Sequence, residues 1–240
     1  MLFRFHWGFR STGQSAEEFK KKEQAEVKPL LTELVERCLR EDILQLTAAY
    51  GYWPAAGDGN DLVVFGAPGG PEAGQEIWRF TLPRQNRPNG VCISDFFRDI
   101  KDDQRDVIGL QVVTAGQRVA DVARQWLDAG HYRDYLFLHG LGVEMAEALA
   151  EQTHARIRCE LGFSHADDPS IAKMIKHGYR GSRYSFGYPA CPNLADQHSL
   201  LKLLEAEQCG ITMSEEDQLW PEQSTSAIVI HHPQARYFAV

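Results

Sequence analysis

The residues best suited to holding a polar ligand fall between Gly178 and Pro192. There, Tyr179-Arg-Gly-Ser-Arg-Tyr-Ser-Phe-Gly-Tyr-Pro-Ala-Cys-Pro192 sets glycines, prolines and aromatic rings around the guanidinium of Arg183. The Gly and Pro content is incompatible with regular helix and predicts an irregular loop with exposed backbone groups. An arginine offers a planar fork matched to a carboxylate, and free backbone amides can read the edge of a heterocycle, so such a loop suits a small zwitterion. Tyr184, Phe186 and Tyr188 add rings to it. Upstream, Glu147 stands one turn from Val143 and close to Ala146 and Ala150 on a largely apolar helical face, where a carboxylate needs a cationic partner.

Plainer readings stand beside these. Arg183 could form a surface ion pair, and Glu147 could reach water or pair with an arginine. Cys191, between Ala190 and Pro192, reads as a small packing residue. Tyr237 and Phe238 alternate across a final strand, so one is core, and Tyr237 is the ligand candidate. Adjacent His231 and His232 point to opposite faces, which disfavours joint metal ligation, and His139 and His154 read as satisfied helix-face histidines. The five cysteines are scattered, with no CxxC pair, and read as buried free thiols. The chain carries no nucleophile elbow, no HExxH and no Gly-rich Rossmann turn, which fits a module with no catalytic or metal-binding residues of its own.

The elements that must position these groups are marked by pattern. Ser15 with Glu18 predicts a capping box opening a helix to Arg40. Strands are predicted over Thr47–Trp53, Asp61–Phe65 and Ile77–Leu82, with a turn from Pro54 to Asn60, which together predict an antiparallel meander. Val107–Thr114 reads as a buried strand, Gln117–Ala129 and Tyr135–Arg158 as helices, and Ser164–Ser170 as a break. A short helix ends near Lys176. Helix resumes over Ala195–Gln208 with Gly210 as its left-handed stop, and Ser226–Val240 reads as a hairpin turning at His232-Pro233-Gln234. The formal net charge of −8 argues against nucleic acid as a partner, because a polyanion requires clustered Lys and Arg. Apolar runs are far shorter than a membrane span, and the opening residues lack a secretory core, which predicts a cytoplasmic protein.

The segment Arg183-x-x-x-Gly187-Tyr-Pro-Ala-Cys-Pro192 resembles the signature of the activation domain of cobalamin-dependent methionine synthase. The likeness extends to Trp7-Gly-Phe-Arg10, Tyr50-Gly-Tyr52, Pro83-Arg-Gln85, Ser94-Asp-Phe96, the stretch from His139 to Glu151, His154-Ala-Arg-Ile-Arg158, Leu219-Trp-Pro221, Ser224-Thr-Ser226 and His232 to Val240. It implies an α+β fold, a bent, mostly antiparallel sheet flanked by helices. It also implies one module over residues 1–240, without the family's extensions at either end.

The same resemblance implies that S-adenosylmethionine binds here. Arg183 would hold the methionine carboxylate, and Glu147 the amino group or sulfonium. Tyr237 and Phe238 would lie against the ligand, with Tyr184, Gly187, Tyr188, Pro189, Ala190 and Cys191 forming the loop around it. Its methyl group would go to a cobalamin carried by a partner domain, after reduction by a flavodoxin- or ferredoxin-like donor. The family's carboxylate six residues before Arg183 is His177 here. An alternative is a module that caps a cobalamin domain without binding a ligand. An independent methyltransferase is disfavoured by the missing Gly-rich turn.

Overall fold

The computed structural model describes residues 6–9, 13, 15–174 and 176–240, so Arg10 of the first motif lies outside the described residues. Ser15 opens the helical run as expected: its hydroxyl accepts from the Glu18 N–H, and the Glu18 side chain accepts from the Ser15 N–H. The run is not one uniform helix. Helix α1 (Ala16–Lys22) passes through a π turn (Glu23–Val27) into α2 (Lys28–Arg40). Pro29 is the physical reason, since it lacks an N–H and its ring crowds the carbonyl four residues back, which a wider turn relieves.

A six-stranded antiparallel sheet is built from β1 (Thr47–Asp58), β2 (Asp61–Phe65), β3 (Glu76–Thr81), β4 (Asp106–Thr114), β5 (Ser182–Ser185) and β8 (Ser224–Ile230). Its strands run in the order β3-β2-β1-β4-β8-β5. A separate pair, β6 (Thr212–Met213) and β7 (Leu219–Trp220), completes the set. The meander is borne out, but the predicted turn at Pro54 is not. β1 continues through Pro54 to Asp58 and turns only at Gly59-Asn60. Pro54 lies just before the ladder with β2 begins at Ala55↔Val64, an edge position where a missing N–H is tolerated.

The sheet divides the molecule. Ile108, Leu110 and Val112 of β4, with Ile228 and Ile230 of β8, join the main core, together with Phe80, Phe96 and Leu200. Leu200 comes from α6 (Gln197–Leu203). On the opposite face lies the 29-residue α4 (Tyr132–Glu160). Gly109 leaves room for it there, since an added Cβ would meet Ile157 at 3.5 Å and Val229 at 3.2 Å. Helix α3 (Gln117–Asp128) and the first half of α4 build a second core with Cys38 and Ile43, around Val119, Leu138 and Leu141. The short helix expected before the 178–192 segment is Ile171–Met174 (α5).

Two further expectations are corrected. The predicted helix over Ala195–Gln208 is α6 between two 3-10 turns, interrupted where Glu205 adopts φ 49°, although Gly210 does take the left-handed stop at φ 72°. The predicted C-terminal hairpin is a single strand, β8, and residues 231–240 form a non-strand tail with a turn in which the Ala235 N–H donates to the His232 carbonyl. Proline and glutamine at 233–234 make that turn, but no second ladder follows.

Leu110 is fully buried on the central strand β4, between β1 and β8. Leu110→Ala is expected to lower unfolding free energy by about 2–5 kcal/mol, read from the urea midpoint.

Candidate functional site

The segment around Arg183 is ordered strand where a loop was expected. Ser182–Ser185 pairs with β8 through Ser182↔Ile230, Arg183↔Val229, Tyr184↔Ile228 and Ser185↔Ala227. Glycines and prolines cluster on either side of these four residues, which masked the strand in the sequence. β5 is the sheet's last strand, so among the described residues one row of its backbone N–H and C=O groups has no strand partner.

Alternation along β5 sends its side chains to opposite faces. Tyr184 goes into the main core, stacked 6.5 Å from Phe96 and edge-on to Phe238 at 5.9 Å, and its hydroxyl donates to the Arg236 carbonyl at 2.7 Å. Arg183 goes towards α4. Its Nη2 lies 3.2 Å from Glu147 Oε2 and 3.0 Å from Glu151 Oε1. The Arg183 side chain is only 13% exposed, whereas both carboxylates are about half exposed. Its Nη1 is buried with no hydrogen-bond partner. One guanidinium therefore holds two acids through one nitrogen and leaves a donor group free.

The structure thus brings Glu147 to Arg183 and adds Glu151, which sequence reasoning missed as a site residue. The signal was present, because 147 and 151 are one turn apart on one helical face. The same stripe continues through His154 and Arg158, at spacings of four, three and four. His154 is fully buried and neither ring nitrogen has a hydrogen-bond partner, contrary to the expected satisfied helix-face histidine. Burial holds it well below the usual histidine range, and the charges of Arg158 and Arg183 and the His177 ring push the same way. His139 does find a partner, Gln223 Nε2 at 3.1 Å from its Nδ1.

The other expected site residues divide. Ala190 and Cys191 are buried core side chains, and burial pushes the Cys191 thiol far above its usual range, so it is neither reactive nor accessible. Phe238 packs on the same core. Gly187, Tyr188 and Pro189 are exposed on a tight turn: the Gly187 N–H donates to the Cys191 carbonyl, and the Cys191 N–H to that of Tyr188. Gly187 needs its φ of 85° there. Tyr188 meets Tyr237 edge-on at 6.5 Å, both about half exposed, so Tyr237 reaches the turn from the tail and not from a strand. Gln85 anchors that tail by donating to the Ala239 carbonyl at 2.7 Å. No hydrogen bond or ion pair links the Arg183 cluster to this aromatic pair among the described residues. Of the thiols, Cys38 and Cys92 are buried too, but Cys159 is exposed and Cys209 half-buried.

A groove of about 650 Å³ lined by Leu201, Lys202, Glu205, Ile211 and Met213 includes none of the expected site residues. Among the described residues no His/Cys/Asp/Glu group could hold a metal, and no helix is long and apolar enough to cross a membrane.

The family model for the vitamin B12 dependent methionine synthase activation domain matches residues 3–240. Over 251 aligned residues the chain is 45% identical to the methionine synthase of Mycobacterium leprae and 44% identical to that of Mycobacterium tuberculosis. Each alignment takes in 100% of this chain and 21% of the relative, so the chain spans about a fifth of the length of these curated relatives. A crystal structure of the MetH reactivation domain bound to AdoHcy superposes with a TM-score of 0.85 at 24% identity, covering 99% of this chain and 74% of that one. That likeness is one of fold.

The His154 environment fixes a pH dependence. Above about pH 6.5 the residue is neutral whether the chain is folded or unfolded; below it the unfolded chain takes up a proton that the folded one refuses, so stability is lost as the pH is lowered, at up to about 1.4 kcal/mol per unit. The thermal midpoint is expected to drop between pH 6.5 and 5, and His154→Leu to flatten the part of that drop due to this residue. Half-buried His231, also lowered by burial, supplies a remainder.

Proposed function

The chain belongs to the vitamin B12 dependent methionine synthase activation domain family, and on that premise we propose that it binds S-adenosylmethionine at the β5 edge and positions its methyl group for reductive methylation of a cobalamin held by another domain. The observation that carries this is the buried, unpartnered Nη1 of Arg183 beside two carboxylates. A buried donor without an acceptor costs about 1–3 kcal/mol, and a ligand carboxylate would remove that penalty. Glu147 and Glu151 then face the ammonium and sulfonium charges of the same ligand. The unpaired backbone row of β5 and the exposed Gly187-Tyr188-Pro189 turn, with Tyr188 and Tyr237, suit the heterocycle. Tyr184, Phe238, Ala190 and Cys191 support that turn from the core.

When bound, the sulfonium supplies an activated methyl group, and this chain's residues hold and orient it without acid, base or nucleophile. In this reading residues 1–240 are one module of a methionine synthase, a cobalamin-dependent homocysteine methyltransferase of the cytoplasm. Its partners are the cobalamin-binding domain and a flavodoxin- or ferredoxin-like electron donor. The second reading, a cap that binds no ligand, is favoured by one feature: the ion pairs already made by Arg183 partly satisfy its charge.

Calorimetric titration of the chain with S-adenosylmethionine decides between them. The expected Kd is micromolar, about −8 kcal/mol, and Arg183→Ala is expected to lose about 2–3 kcal/mol by leaving a carboxylate unpaired. No heat from the parent chain leaves the capping role.

A further inference from the structure

We propose that the buried stack of Arg158, Tyr179 and His154 is the positioning element of the site: it fixes the start of β5 and, through it, the place of the Arg183 guanidinium. The proposal rests on Arg183 being the ligand-binding residue for its meaning, but its geometry is independent of any ligand.

Arg158 is one of the largest fully buried side chains, at 1% exposure. Asp167 grips it at 2.9 Å on both Nε and Nη2, and its Nη1 is left without a partner. The guanidinium lies 4.3 Å from the centroid of the Tyr179 ring. His154 meets that ring edge-on at 5.0 Å. The buried Tyr179 is thus held from two sides by side chains of α4, while its hydroxyl and His177 Nδ1 lie 3.2 Å apart. Burying an arginine is expensive even when paired, and core packing alone would be served as well by an apolar side chain. What the charged stack adds is directional: a planar cation and a ring edge specify one orientation of one tyrosine.

From Tyr179 the chain has little freedom before Arg183. Arg180 Nε donates to the His231 carbonyl at 2.8 Å. Gly181, at φ 84°, lies so close to β8 that an added Cβ would stand 2.2 Å from the Ile230 carbonyl oxygen. Ser182 is buried and paired with Ile230. A shift of Tyr179 is therefore passed along the backbone instead of being absorbed by a flexible link. The same helix also carries Glu147 and Glu151, so one stripe of α4 sets both the backbone origin of Arg183 and the partners of its tip. Arg158, Tyr179 and His154 touch no ligand in this account; they act through Arg183.

The test uses the full 240-residue chain, with Tyr179→Leu removing the ring and Tyr179→Phe keeping it. Two quantities are read in each: the hydrogen-exchange rate of the Arg183 Nε–H by nitrogen-15 NMR, assigned by its loss in Arg183→Lys, and the Kd for S-adenosylmethionine. Tyr179→Leu is expected to speed the exchange and weaken binding, each by roughly tenfold or more, and Tyr179→Phe to behave as the parent. A purely structural stack would lower the unfolding midpoint in Tyr179→Leu yet leave exchange and Kd of the folded protein unchanged, and that result overturns the proposal. Should Tyr179→Leu not fold, Asp167→Asn carries the same test, because it removes the charge and one of the two acceptors that hold the Arg158 guanidinium with little change of side-chain shape; unchanged exchange there is equally fatal. If the parent binds no ligand, the ligand reading fails, and the exchange rates still decide the positioning role.

Discussion

The site depends on one guanidinium shared between a sheet edge and a helix. β5 is four residues long and, among the described residues, has a single neighbouring strand, so pairing alone fixes it weakly. Two different forces hold it. On the core face, Tyr184 is buried against Phe96 and Phe238, an aromatic burial of about 1.5–3 kcal/mol or more. On the helix face, the half-exposed acids Glu147 and Glu151 each contribute about 0–1 kcal/mol. The magnitudes assign the roles: burial holds the strand in place, and the ion pairs set where the charge on Arg183 is held. A charge held mainly for orientation, with one nitrogen still unpartnered, is suited to recognition more than to stability.

Helix α4 gains its unusual composition from serving two environments. Its 29 residues span about 43 Å, enough to cross the sheet and also reach the second core. In its first half Leu138, Leu141 and Ala146 pack with Val119 and Ile43. In its second half the sheet-facing side mixes apolar Ala150 and Ile157 with buried His154 and Arg158, and Gln111 of β4 donates to the Ala150 carbonyl at 3.2 Å. At the far end, Tyr50 and Tyr52 of β1 both donate to Glu160, at 2.8 and 2.7 Å, tying the helix terminus to the sheet. A wholly apolar stripe would pack as tightly, but it could not place charge at chosen heights along the sheet.

Much of this was legible in the residues, and the parts that were not share a physical cause. The long helices follow from periodicity, the meander from its turn residues and the buried β4 from a continuous apolar run, and the α+β arrangement is as expected. Pro54 signals a turn because a sequence does not say which side of a strand is unpaired. β5 was hidden because four strand residues flanked by Gly181 and Gly187 carry no readable alternation. The tail after β8 resembled a strand through Tyr237 and Phe238, whose alternation is real while the ladder is absent. In the site, Arg183 and Glu147 were found together, but Tyr184, Ala190 and Cys191 proved to be core side chains. Chemistry-bearing residue types in a loop do not reveal which face each one takes, whereas a strand assignment would have separated Arg183 from Tyr184 at once.

That separation explains why an edge strand is a favourable place for such a site. A central strand offers a ligand only side chains, because both rows of its backbone groups are already paired. A free loop offers backbone groups but holds them in no fixed order. An edge strand next to a tight turn supplies both a fixed charge and an ordered row of donors and acceptors. Here the Gly187–Cys191 turn, closed by its own two hydrogen bonds and backed by buried Ala190 and Cys191, extends that fixed surface past the end of the ladder. An exposed edge is also a liability for association with other strands, and a strand of only four residues, bounded by Gly181 and Gly187, keeps that liability small.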